Sequence, residues 1–187
     1  MSVERGFSMI DMLVVVAIIG IVGAISIPSM MNAIDQMRLG QSARELEREM
    51  QMAKSRAVGK GRPIRMRFNC PVAGQYRFVE LIGSPAAPAA ADTGAGRCSD
   101  VTYPYPAGDN DPVTRPNLDG ALRRIDSSVT IAASETVEFW PDGTARRDTG
   151  AGNPWPLIPV AGINIELTRN GKNSSITVNG LGKIKLQ

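Results

Sequence analysis

Residues 6–28 read GFSMIDMLVVVAIIGIVGAISIP, and the interpretation of this stretch governs the rest of the chain. Residues 7–28 are 22 residues with one charge, Asp11. As a helix they cover about 33 Å at 1.5 Å per residue, against a bilayer hydrocarbon thickness of about 30 Å. A secretory signal would open on a basic region and end on a small-residue cleavage site. Here Arg5 is balanced by Glu4, and residues 23–26 (GAIS) make a poor cleavage site. A core helix this apolar on all faces would need a larger domain to enclose it. The stretch is therefore expected to stay in a membrane as a helix.

Asp11 is the residue that resists this. A carboxylate at the centre of a membrane helix costs about 2.5–3.5 kcal/mol on insertion scales, so such residues have partners. A cut between Gly6 and Phe7 would create one. The new α-amine of Phe7 would be a cation at the membrane edge, and Asp11, one turn deeper, would pair with the amine of a neighbouring copy or homologue. The acid then acts as a register device, costly alone and satisfied in an assembly. Orientation is not signalled by charge, since Arg5 precedes the helix and Arg38, Arg44 and Arg48 follow it.

Beyond Pro28 the helical pattern resumes. Leu39, Ala43, Leu46, Met50, Ala53 and Ala57 form one apolar stripe at helical period. Gly59, Gly61 and Pro63 end it, so one helix over residues 7–58 would be about 78 Å long. The stripe is expected to pack on its own domain, because three repeats do not sustain a coiled coil. After Pro63 the period becomes two. Ile64, Met66 and Phe68 alternate with arginines, and residues 76–82 continue as a strand. Val137 and Phe139 precede the turn Pro141-Asp142-Gly143, with a return strand over residues 144–147. Ile163, Ile165 and Leu167 lead to the hairpin signal Asn170-Gly171, then Ile176 and Val178. Ile184 and Leu186 follow a last turn at residues 179–182. About seven antiparallel strands are expected. The Pro/Ala/Gly/Asp-rich stretch 83–120 is expected to be a mobile loop, with a contact surface in an assembly as the alternative.

The chain has 187 residues, room for one ordinary domain and an appendage, with 43% apolar residues and a net charge of +3. Histidine is absent, and there are two cysteines. That removes the commonest general base and any Cys/His zinc site. Ser174, Ser175 and Asp142 make no base–nucleophile pattern without histidine. Asp109, Asn110 and Asp111 lack the spaced ligands of a calcium loop and read as solvated loop. No catalytic residue, metal or cofactor is expected, and the chain is not expected to be an enzyme.

Gly6-Phe7-Ser8-Met9-Ile10-Asp11, followed by an apolar run to Pro28, resembles the class III signal of type IV pilins and type II secretion pseudopilins. The usual pattern there is G-F-T-L-I-E, so Ser8, Met9 and Asp11 are departures. Asp11 keeps the charge but is one methylene shorter. The resemblance implies cleavage after Gly6 by a prepilin peptidase, methylation of the Phe7 amine, and retention of the apolar helix with a kink at Pro28. The remainder resembles more weakly the GspH/FimT group of minor pilins and minor pseudopilins. The features are Ala43-Arg44, Ala53 and Arg56-Ala57 on the helix, Val137-Glu138-Phe139 before Pro-Asp-Gly, and Gly182-Lys183-Ile184-Lys185.

The resemblance implies an α+β, pilin-like fold: a leader at residues 1–6, a long helix at 7–58 with its assembly segment at 7–28, and a periplasmic β-rich head at 59–187. Its partners would be other pilin or pseudopilin subunits, prepilin peptidase and the inner membrane, in a priming or tip complex. An exported head would let Cys70 and Cys98 form a disulfide closing 29 residues, worth about 3.6 kcal/mol by chain entropy; free thiols are the alternative. In the FimT branch a terminal G-R-x-R motif is associated with DNA uptake. Lys183 and Lys185 have its spacing but not its arginines, and four basic residues against Glu166 from residue 165 onward carry the chain's net charge. Lysines on an exposed edge strand, which deter strand pairing, are the favoured reading; DNA as a partner is the alternative.

Overall fold

The computed structural model describes residues 8–187, apart from 85, 86, 88, 107–117, 133–135 and 150–153. Helix α1 (Met9–Lys60) belongs to two compact units, Met1–Met37 and Arg38–Gln187. In the first unit the helix is apolar on nearly every face and exposed on nearly every face: Met9 is 88% exposed and Ile25 71%. Such a surface in water would be untenable at this length, but a lipid-facing helix satisfies its main chain internally and needs no partner for its side chains.

In the second unit the stripe Leu39, Ala43, Leu46, Met50, Ala53 and Ala57 is buried, with the last five fully so. The alanines let the helix approach the sheets closely, and Leu46 and Met50 fill the space between. Gly61, at φ +67°, supplies the left-handed residue that ends a helix, and Pro63 follows.

The head holds nine described strands: β1 (Ile64–Phe68), β2 (Gln75–Glu80), β3 (Arg123–Arg124), β4 (Thr130–Ala132), β5 (Val137–Phe139), β6 (Ala145–Arg147), β7 (Ile163–Arg169), β8 (Lys172–Val178) and β9 (Ile184–Leu186). They form two antiparallel sheets, ordered β3-β2-β1-β5-β6 and β4-β7-β8-β9. The architecture is the expected α+β one, a long N-terminal helix with antiparallel sheets. The count exceeds the expected seven because β3 and β4 are too short to show an alternation. One core joins the α1 stripe to Ile64, Met66, Tyr76, Phe78, Val137 and Phe139 of the first sheet and to Ile165, Leu167, Ile176 and Val178 of the second. The sheets meet where the Ala145 N–H donates to the Gly180 carbonyl at 2.9 Å and the Ile158 N–H to the Ala145 carbonyl at 3.0 Å.

The far face of the first sheet departs from expectation. Alternation should turn Arg65, Arg67 and Arg77 toward water, yet Arg65 and Arg77 are buried. The covering layer is the described part of the stretch expected to be a mobile loop. It contains α2 (Ala90–Thr93) and a 3-10 turn (Ala95–Cys98), and it buries Asp92, Arg97 and Cys98. With few apolar anchors, it is held by polar ones.

Candidate functional site

At the start of α1 the main chain of Ser8 and the side chain of Asp11 bond to each other. The Ser8 N–H donates to Asp11 Oδ2 at 3.2 Å, and the Ile10 N–H donates to Ser8 Oγ at 3.3 Å. Ser8 is the N-cap, its hydroxyl taking the N2 N–H of Ile10 while Asp11, three residues on, takes the Ser8 N–H, a variant of the capping box. The Ser-x-x-Asp spacing was present in the sequence, and Asp11 was assigned there to assembly alone. A carboxylate can accept about four hydrogen bonds, so a cap leaves capacity for an amine. Gly6 and Phe7 lie outside the described residues. The helix continues through position 28, and among the described residues it is the one helix long and apolar enough to cross a membrane.

Cys70 and Cys98 form a disulfide, with Cα atoms 5.6 Å apart. It joins the end of β1 to the covering layer. Across the first sheet and its covering layer five arginines grip main-chain carbonyls. Arg65 Nη1 donates to Asp92 O at 3.1 Å. Arg67 donates to Gly94 O at 2.6 Å and Thr93 O at 3.1 Å. Arg77 Nε donates to Gly120 O and Nη2 to Tyr103 O, both at 2.7 Å. Arg97 Nη2 donates to Glu80 O at 2.6 Å, and Arg146 Nη1 to Trp155 O at 2.8 Å. Asp92 works the other way: its carboxylate accepts the N–H groups of Ile82, Gly83 and Ala89 at 2.8–3.0 Å.

Buried ion pairs run through this layer. Arg65 bonds Glu138 at 3.0 Å and lies 3.9 Å from the Trp155 ring centroid. Arg97 bonds Asp119 at 2.9 Å. Burial pushes the Asp119 carboxyl up, with Arg97 pulling against it. Burial lowers Arg67, and the neighbouring cations Arg65 and Arg97 lower it further. The group consists of positive side chains matched to carbonyls and carboxylates. Periodicity alone could not reveal it, because a strand with alternating arginines looks the same whether its second face is wet or covered.

On the other side of the head, Asp126 joins Arg38 of α1 (3.7 Å) to Arg169 of β7 (3.2 Å). Hydrogen bonds from Ser128 hold its carboxyl below the usual range. Lys183 and Lys185 are exposed at and beside β9, apart from the arginine layer. Asp109, Asn110 and Asp111 lie outside the described residues, and among those described no cluster could hold a metal ion.

No protein-family model matches the chain, and no curated protein matches it in sequence. Solved structures do resemble it. The type IV minor pilin FimU of Pseudomonas aeruginosa aligns at 16% identity and TM-score 0.47, over 81% of this chain and 90% of that one. A second crystal form of FimU gives 17% and 0.43, over 80% and 92%. The minor pseudopilin EpsH of the type 2 secretion system of Vibrio cholerae aligns at 9% identity and TM-score 0.45, over 80% of this chain and 96% of that one.

Proposed function

We propose that the chain is a minor pilin or minor pseudopilin, a structural subunit that carries out no chemistry itself. It sits in the inner membrane through the first half of α1, with its head in the periplasm, and assembles through that helix into a filament or its priming complex. One observation carries this reading: the exposed apolar first part of α1, up to residue 27, has one acid, Asp11, which lies a turn inside the helix start and four residues after Phe7. Cleavage after Gly6 frees the Phe7 amine, and helix bundling sets such an amine against Asp11 of a neighbour, relieving the cost of a carboxylate in lipid. The capping box fits the same arrangement, since it holds the acid at the helix start where the amine arrives.

Mass spectrometry of the mature protein tests the processing step, with the expected product beginning at methylated Phe7. A chain retaining residues 1–6, or an unmethylated Phe7, rejects it. For assembly, Asp11→Ala is expected to leave the membrane pool intact and to cut recovery in sheared filaments at least tenfold. Undiminished recovery would falsify the pairing.

A further inference from the structure

β9 closes one side of the second sheet, and among the described residues its outer edge is unpaired. The pairing with β8 fixes which groups face outward. The Asn179 N–H donates to the Lys183 carbonyl at 3.1 Å, and Gln187 exchanges bonds with Ser175 at 2.8 and 3.4 Å. Lys185 stands opposite Thr177 between them. Bonded and non-bonded pairs alternate along an antiparallel ladder. The N–H and C=O groups of Ile184 and Leu186 therefore point away from β8.

Beside this edge runs a groove of about 600 Å³, with Gln51, Ser55 and Val58 of α1 on one wall and Gly182, Lys183 and Ile184 on the other. None of its lining residues is acidic. Lys54 reaches across it, with Nζ 2.8 Å from the Gly182 carbonyl. Val58 is half exposed. Ile184 and Leu186 turn their side chains toward the core, which leaves Lys183 and Lys185 together on the opposite face.

We propose that this edge takes up, by strand addition, an extended segment of another protein in which acidic and apolar residues alternate. The main chain of β9 presents donors and acceptors in turn, the complement of another extended main chain. A phosphate backbone offers acceptors alone and would leave the outward carbonyls unmatched. Two lysines select the incoming side chains: acidic residues meet Lys183 and Lys185, and the apolar residues between them face the other way. Lysines that deter a neutral or basic edge admit an acidic one.

The full-length protein in detergent micelles provides the test, with fluorescence anisotropy of a labelled, end-blocked Glu-Val-Glu-Val-Glu-Val peptide as the readout. Saturable binding is expected. It should weaken at least tenfold in the Lys183→Glu, Lys185→Glu double variant, which should take up the Lys-Val-Lys-Val-Lys-Val counterpart instead. Ile184→Pro removes an outward N–H without breaking a β8 bond, and should also weaken binding at least tenfold. Should that variant lose its circular dichroism signal, the charge swap carries the test alone, because both lysines are exposed. Absence of saturable binding to the unaltered protein overturns the proposal, as does an unchanged affinity in the charge-swapped variant. A duplex DNA probe that binds at the lysines and is not displaced by the acidic peptide assigns them to phosphate and overturns it as well.

Discussion

Arg65 and Glu138 are each nearly inaccessible and lie 3.0 Å apart, with the Trp140 indole N–H donating to the other Glu138 oxygen at 2.6 Å. Removing one member strands the other. Glu138→Ala is expected to cost about 3–5 kcal/mol in urea unfolding, whereas Arg65→Met with Glu138→Leu should recover most of it. Asp126 gives a pH signature instead. Its folded carboxyl titrates below the ordinary value of 3.8, so its contribution is present above that value and disappears as pH falls through the folded pKa. Asp126→Asn should therefore lower the unfolding midpoint at pH 7, and the gap from the parent should narrow and close as pH falls below 3.8 through the folded pKa. A gap that persists in acid would mean that packing, not charge, was lost.

At the level of elements, α1 is one helix read in two environments. Its second half was fully legible, since an apolar residue every three or four positions against charged neighbours admits one packing face, and the six named residues form it. β7 and β8 were equally legible through Asn170-Gly171, where both residues have positive φ. The stretch after β2 was not. Its low hydrophobicity argued for mobility, but its anchors are Asp92, the arginines of β1 and β2, and Cys98, all of which look like surface residues until a second layer covers them. The disulfide is one anchor among several here. Cys70→Ala with Cys98→Ala should cost at most about 3.6 kcal/mol and leave a single unfolding transition, because the arginine contacts remain. Separate melting of the covering layer, followed by hydrogen exchange at residues 92–103, would show that the bridge is the main tie.

For the molecule as a whole, the core lies entirely within residues 39–178, with Ile184 and Leu186 packed against it. No core residue comes from the first unit. A chain lacking residues 1–37 should therefore be soluble without detergent, and its urea midpoint should lie within about 0.5 M of the full-length protein's in micelles, given a denaturant slope of about 1–3 kcal/mol/M for small domains. Aggregation of that truncated chain would mean that the head borrows stability from the apolar helix. The sequence marks Gly6 and Phe7 for processing and Asp11 and Pro28 for assembly, because a lone acid in an apolar run has few explanations, and Gly6 and Phe7 lie outside the described residues. The local duty of Asp11 at the helix start escaped notice because its four-residue signature was hidden inside a larger one.

The arginine contacts on the first sheet have a further consequence. At Thr93 and Gly94 they close on carbonyl oxygens, which every amino acid supplies, so there the covering segment is held by its backbone and owes little to which residues compose positions 93 and 94. Substitutions there should leave the grip in place while changing what the subunit displays outward. This makes it a place where surface identity can diverge between related subunits, or be rewritten by an engineer, without disturbing the framework beneath.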